Sequence, residues 1–521
     1  MQKVMFLGLD GATWTQLDKL LQKGIMPNLQ NIIKTGTRGT LKSYFPFTSK
    51  SSWLSILTGA NPGKHGVPHL GTTETKEIPI LWEILSEKNI KNLIINDLST
   101  YPPLKINGVM ITGGELTPYN SANFTNPTEI KEELDKVVDG YIPSLNPLFT
   151  QLVKDSKFKE AYEIAETYDK KVVESFFYLV KKYDWQMLGL MLENPDILHH
   201  HYWDKPEYLE KFHSWMDLVL GEIYKLSKEQ NANLIIVSDH GGGGVNKHFL
   251  VNTWLRDSGI VKFGEHGKMT KAMAKSNLRQ DVLREYTSKM HMRKFLSKIT
   301  PNSLKRKIPL HSDESSFVDE NNTKAFSKMY GTITINEKDP IKHEKLRTKI
   351  IEQLLELEDD GEKVVREALR KEDAFNGPYV NRANDIQFLL NDGYRWSPYL
   401  RDEGYLLNNE KYGDAIRVGD HRPEGIIIAT GPDFAKEKVL QNMPLGWDVC
   451  ATILHIFNIK IPSYFDGKPI KEIFDEKSEL STREILSEEK SITKNEKQNN
   501  QTYTDEEMEE IEKNLRELGY I

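Results

Sequence analysis

One cysteine stands in 521 residues, Cys450, which excludes an intrachain disulfide. No window approaches the roughly 18 consecutive apolar residues of a membrane span. The start, "MQKVMFLGLDG", offers about six apolar residues before Asp10, short of the roughly 7–15 of a secretory signal. It reads as a first strand instead. Together these absences lead to the expectation of a cytoplasmic protein. No internal repeat is visible, so a solenoid is not expected.

What is present is the composition of a globular protein, 38% hydrophobic and 28% charged. The length suits a large domain with insertions, or two or three domains. The net charge of −7 is unevenly spread. Residues 261–310 hold thirteen Lys/Arg and three acids, a local +10 that leaves −17 on the remainder. Such a segment is either a solvated helical insertion or a basic cap over an anionic substrate or anionic membrane. Nothing points to a specific nucleic-acid partner, and the oligomeric state is not readable.

Short apolar runs alternate with helical patterns. "KVMFLGL", "NLIIND", "GVMITGG", "WQMLGLML" and "ANLIIVS" read as buried parallel strands. "WTQLDKLLQKG" and "MPNLQNIIKTG" read as helices ending at glycine. The alternation predicts an α/β fold, a mostly parallel sheet sandwiched between helices. A basic, mainly helical insertion over 262–325 interrupts it, after which "YGTITIN", "IQFLLND" and "EGIIIATGP" restore strands. "GWDVCATILHIFNI" is a further amphipathic helix. Residues 477–502 read as a polar linker and 503–521 as a C-terminal helix. Thr504 is its expected N-cap, and Met508, Ile511, Leu515 and Leu518 form a stripe that docks on the core.

Three carboxylates stand just beyond predicted strands. Asp10 follows "VMFLGL", Asp196 follows "GLMLEN" and Asp239 follows "LIIVS". Ligands bind outside the carboxyl ends of strands in open α/β sheets. A single such aspartate is usually a turn or N-cap residue; three, two of them with a nearby histidine, are not. If "ENPDILHHHYWD" turns helical, Asp196 and His200 lie four apart on one face and can share a metal. His240 follows Asp239 in "SDHGGGG", where the glycines are expected to let the backbone turn sharply toward a ligand. His421 immediately precedes another strand. In "FPFTSKSSWLSILTG", Thr48 or Ser49 falls at a helix start, where free N–H groups favour phosphate.

The ordered set of Asp, hydroxyl, Asp-x-x-x-His, Asp-His and His resembles the alkaline phosphatase superfamily. More narrowly it resembles the type I phosphodiesterase/nucleotide pyrophosphatase branch and its predicted phosphohydrolase/phosphomutase relatives. The likeness runs from "FLGLDGATW" through "LTGANPGKHG", "PDILHHHYW", "VSDHGGGG", "NRANDIQ" and "GDHRPEGIIIATGP" to "LRELGY". It implies that residues 1–261 and 326–476 are two parts of one catalytic domain. It also implies two metal sites: Asp10, Asp239, His240 and the nucleophile oxygen in one, Asp196, His200 and His421 in the other. Zinc suits such ligands best, and manganese is compatible. The family's nucleophile lies nine residues before the Thr of its "TG" motif; Thr58 is that Thr here, which selects Ser49 with Thr48 as runner-up.

The chain departs from the family at the substrate. Ser52 stands where nucleotide pyrophosphatases have Asn, and Lys50 and Ser51 follow the nucleophile in place of an aromatic residue and Pro. Lys50 and Ser52 are the candidate substrate-binding residues. Sulfatases need a cysteine in the nucleophile motif, and Cys450 lies in a late helix.

The resulting expectation is a phosphodiester or phosphoanhydride hydrolase acting through a phosphoseryl intermediate. Its substrate would be a phosphorylated small molecule, glycan or lipid-linked compound, with peripheral contact to anionic membrane through 262–310. A phosphomutase or phosphotransferase would use the same residues. A non-catalytic module for anionic glycan or lipid would have lost a ligand or the nucleophile, and none is missing.

Overall fold

A computed structural model of the chain describes residues 2–68, 76–262, 322–401, 403–409, 417–492, 504, 506–508 and 510–511. It has two compact units. The first comprises Met1–Gly244, Glu372–Ala383 and Ile416–Ile521, and the second Val245–Lys371 and Asn384–Ala415.

The first unit is built on a nine-stranded sheet. In chain order its strands are β1 (Val4–Leu9), β2 (Gly36–Lys42), β3 (Asn92–Asp97), β4 (Gly108–Thr112), β5 (Thr125–Asn126), β6 (Met187–Leu192) and β7 (Asn233–Val237). After β8 (Gly241–Leu250) and β9 (Gly419–Arg422), which lie outside this sheet, come β10 (Glu424–Thr430) and β11 (Lys438–Val439). The spatial order is β11-β2-β10-β7-β1-β6-β3-β4-β5. The central run β7-β1-β6-β3-β4 is parallel throughout, while β10 runs antiparallel to both its neighbours.

The strands are buried on both faces, which is why they read as unbroken apolar runs. Side chains alternate along β1. Met5, Leu7 and Leu9 join a core with the long helices Phe158–Lys182 and Pro206–Glu229. Val4 and Phe6 join the opposite core with helices α1 (Ser49–Thr58) and Asp448–Ile456. The expected mostly parallel sheet sandwiched between helices is what the chain forms. Cys450 is buried in the latter helix, where its thiol donates to the Leu57 carbonyl at 3.3 Å.

The second unit carries an antiparallel sheet ordered Val365–Arg370, Ile386–Leu390, Thr332–Ile335, Ala325–Phe326. Helix Pro340–Glu356 buries Ile350, Ile351 and Leu354 in a core with Trp254, Phe388 and Trp396. Asp339 caps this helix by accepting from the amides of Ile341 and Lys342.

The expected insertion over 262–325 lies, apart from its two ends, outside the described residues. Of the polar stretch after 477, Leu480 is buried and Ser487–Glu488 pair with Ile461–Pro462. At the C-terminal helix, the Glu507 amide donates to Thr504 Oγ1 at 3.2 Å and the Thr504 amide donates to Glu507 Oε2 at 2.8 Å. This is a reciprocal capping box. Ile511 is buried, and Leu515 and Leu518 lie outside the described residues.

Candidate metal centre

Strands β7, β1 and β6 are adjacent and parallel, so their carboxyl ends emerge side by side. Asp10 directly follows β1, and Asp239 lies two residues beyond β7. After β6 the chain enters helix α2 (Asn194–Tyr202), with Pro195 at its start and Asp196 in its first turn. Proline and an acid are both favourable there. The Ser238 hydroxyl fixes the end of β7: it donates to the Ala12 carbonyl at 2.9 Å and accepts from the Ile426 amide at 2.8 Å.

The "GGGG" stretch corrects the sequence expectation. Gly241–Gly244 do not turn sharply; they form the first half of β8 and pair antiparallel with β9, His421 opposite Gly242. None of the four has positive φ. Glycine serves close approach instead. A Cβ on Gly241 would lie 2.0 Å from the Glu424 carbonyl oxygen, and one on Gly244 would lie 2.7 Å from Trp203 Nε1. His421 consequently sits within a short strand of its own, before β10.

All six Asp and His candidates are buried. His200 Nε2 lies 2.9 Å from Asp196 Oδ2 and 3.0 Å from His421 Nε2. His421 Nε2 lies 3.6 Å from Asp196 Oδ1. On the other side, His240 Nε2 is 3.6 Å from Asp10 Oδ1 and 3.4 Å from Asp239 Oδ2. The His240 and His421 rings lie 3.9 Å apart. Among the described residues, ligand atoms fall within 4.8 Å of one another in three groups: Asp10, Asp239 and His240; Asp196, His240 and His421; and His200, Asp420 and His421.

The three rings share one hydrogen-bonding scheme. Nδ1 of His200, His240 and His421 faces the carbonyls of Gly419, Gly241 and Phe47 at 2.9, 3.0 and 2.6 Å. A carbonyl only accepts, so each Nδ1 carries a proton and each ring turns its Nε2 inward. Burial would lower His421, but the Asp196 carboxylate outweighs it and raises it.

Charge in the centre is unbalanced. Burial, then the Asp239 and Asp196 charges, hold the Asp10 carboxyl well above the usual range. Burial and Asp196 push Asp239 up to about 8. Burial would raise Asp196 too, but the His200 and His421 rings outweigh it and hold it well below. Burial and His421 push His240 down to about 3.

Ser49 opens α1, with Thr48 as N-cap residue. Ser49 Oγ–H points to Asp10 Oδ1 at 3.4 Å. Thr48 Oγ1 is buried without a hydrogen-bond partner. Lys50 is buried, and Ser52 Oγ lies 3.2 Å from the Ser43 hydroxyl.

Two groups escape a reading of the sequence. Trp53 reads as part of a helical face, yet its Nε1–H donates to Asp10 Oδ2 at 2.9 Å; no local pattern signals that contact. Asp420 did leave a signal, because "GDHR" repeats the Asp-His pair of "SDHG".

A family model for type I phosphodiesterase/nucleotide pyrophosphatase matches residues 4–415. No curated protein matches the chain in sequence. Among solved structures it is similar to human ectonucleotide pyrophosphatase/phosphodiesterase 5, at 15% identity and a TM-score of 0.49, covering 91% of this chain and 100% of that one. The murine protein gives 13% and 0.48 with the same coverage. An inactive variant of the murine protein in complex with AMP gives 14% and 0.48, again over 91% and 100%. By the match over most of its length, the chain belongs to the type I phosphodiesterase/nucleotide pyrophosphatase family and is a phosphodiesterase/pyrophosphatase-type hydrolase with candidate Asp/His metal-binding clusters.

Proposed function

We propose that this enzyme cleaves a phosphodiester or phosphoanhydride in a phosphorylated small molecule, using two divalent cations and a phosphoseryl intermediate on Ser49. One observation carries the reading. His200 Nε2 and His421 Nε2 face each other at 3.0 Å while both Nδ1 protons are committed to carbonyls. Two ring nitrogens so close, with Asp196 Oδ2 2.9 Å from one and Asp196 Oδ1 3.6 Å from the other, need positive charge among them, which a proton supplies in the metal-free chain and a divalent cation would supply on binding.

The donor set fits that requirement. Asp239 Oδ2 and His240 Nε2 are buried without a hydrogen-bond partner, a costly arrangement unless a ligand satisfies them. Asp10, Asp239, His240 and Ser49 would hold one ion, and Asp196, His200 and His421 the other. Mixed carboxylate and imidazole ligands favour Zn²⁺, with Mn²⁺ compatible. Bound there, the ions supply Lewis acidity to the attacking and leaving oxygens of an in-line displacement.

The chain's own residues do the rest. Asp10 orients the Ser49 hydroxyl. Ser49 Oγ gives up its proton to solvent and attacks phosphorus, the bond to the leaving oxygen breaks, and that oxygen takes a proton from solvent to depart as an alcohol or departs as phosphate. Water then cleaves the phosphoseryl ester and restores Ser49. The positive end of α1 begins at Ser49 and favours the phosphoryl oxygens. With Ser52, next to Ser43, in place of the Asn that donates to the phosphoryl group in nucleotide pyrophosphatases, contact with the phosphoryl group differs from theirs.

Metal analysis of the purified protein, joined to a screen of phosphodiesters, phosphoanhydrides and monoesters, tests this. About two Zn²⁺ or Mn²⁺ per chain, with turnover of a diester or anhydride, is the expected result. A metal-free protein with full activity would overturn it. Transfer to an added alcohol in preference to water would assign the same site to a phosphotransferase.

A further inference from the structure

His199 is not among the residues proposed to hold metal, yet its ring is fully buried. Its Nδ1 lies 3.2 Å from the Gly11 carbonyl oxygen and, since that oxygen only accepts, Nδ1 donates. The ring stacks on His213 at 5.9 Å and meets Trp203 edge-on at 5.2 Å.

Apart from these two rings, the groups around His199 belong to segments that carry proposed ligands. Gly11 follows Asp10, and its amide donates to Asp239 Oδ1 at 3.2 Å. Gly11 holds φ +64, and a Cβ on it would fall 2.7 Å from Asp196 Oδ1. Gly242 follows the Asp239–His240 pair, and a Cβ there would lie 3.1 Å from His199 Nδ1. Gly419 precedes Asp420 and His421, and a Cβ there would lie 2.2 Å from the His199 carbonyl oxygen. Two glycines from separate segments, Gly242 and Gly419, therefore give way to His199, and Gly11 gives way to Asp196 on the same helix. His200, its neighbour, reaches the Gly419 carbonyl.

We infer that His199 is a positioning residue, which locks the Asp10–Gly11 turn, the Asp239–Gly242 segment and the strand bearing His421 into register around the cations without touching them. The hydrogen bond to Gly11 is the essential element, because it anchors the residue whose amide holds Asp239. This inference rests on the metal reading given under the proposed function. Groups that orient metal ligands are typically worth roughly 10–100-fold in metal affinity.

The test measures Zn²⁺ affinity by competition with a chromophoric chelator for the full-length protein. The variants are His199→Leu, His199→Asn and His200→Ala, with circular dichroism as the check on folding. His199→Leu keeps the volume and loses the donor; its affinity should fall by roughly 10–100-fold, and activity should return in part when Zn²⁺ is raised. His199→Asn places an amide N–H where Nδ1 stood and should stay within about threefold of wild type, since the bond to Gly11 is kept. Unchanged affinity in His199→Leu, or equal losses in the Leu and Asn variants, would overturn the positioning role while leaving the metal centre intact. Should His199→Leu not fold, His199→Gln replaces it. Gln carries its amide to the Nε2 position, so affinities equal to those of the Asn variant would overturn the role. Wild type and His200→Ala binding Zn²⁺ equally would instead overturn the metal reading itself, and this inference with it.

Discussion

Replacing Asp239 by Asn should stabilise the metal-stripped enzyme at pH 8. Asp239 Oδ2 faces His240 Nε2 at 3.4 Å with no hydrogen bond, and that nitrogen presents a lone pair. Burial and Asp196 push the carboxyl up to about 8, against an ordinary value near 3.8. A folded-state value raised this far means that folding takes up a proton the unfolded chain has released. The penalty is absent below about pH 4 and grows by up to about 1.4 kcal/mol per pH unit until about pH 8. Four units set an upper limit of about 5 kcal/mol, and relaxation around the site reduces it, so a gain of about 2–4 kcal/mol is expected at pH 8. Asn keeps the oxygen that accepts from the Gly11 amide. Its new N–H₂ points at His240 Nε2. Urea denaturation of EDTA-treated wild type and Asp239→Asn, followed from pH 5 to 8, reads the effect. The gain should shrink toward pH 5, and added Zn²⁺ should stabilise wild type far more than the variant. A metal-free variant no more stable than wild type at pH 8 would refute the electrostatic reasoning.

Other outcomes follow from the same site. Trp53→Phe removes the N–H donated to Asp10; metal affinity should fall by roughly tenfold, about 1.4 kcal/mol, as read by chelator competition. Thr48→Ala removes a buried hydroxyl that makes no capping bond, so stability should change by less than about 1 kcal/mol and activity little, measured by melting and by kcat/KM. Replacing residues 262–325 by a short neutral loop should raise KM on an anionic macromolecular or lipid substrate far more than on a small chromogenic diester. Equal losses on both would remove the basic segment from substrate choice.

The sheet was legible because a parallel sheet covered on both faces writes itself as apolar runs; "VMFLGL", "MLGLML" and "NLIIV" are buried along their whole length. The carboxylates were legible for a related reason, since each stands at or just past the end of such a run. Asp196 and His200 needed only the helical repeat. The path of Gly241–Gly244 was not legible, because a strand made of glycine has no side-chain period. Its extended conformation is set by pairing with residues almost 180 positions away. The same holds for Trp53 and His199, whose partners Asp10 and Gly11 meet them only across the folded sheet. The division into two units was equally hidden, since the second unit takes residues from two separate stretches of the chain.

The most direct test of the account is to trap the covalent intermediate. Quenched-flow reaction with a ³²P-labelled diester, followed by peptide mapping, should place the label on Ser49. Ser49→Ala should fold, retain the metal proposed for Asp196, His200 and His421, and lose several orders of magnitude in turnover. A label on Thr48 would contradict the assignment of the nucleophile. Full activity in both Ser49→Ala and Thr48→Ala, with no labelled peptide, would contradict the phosphoseryl mechanism altogether.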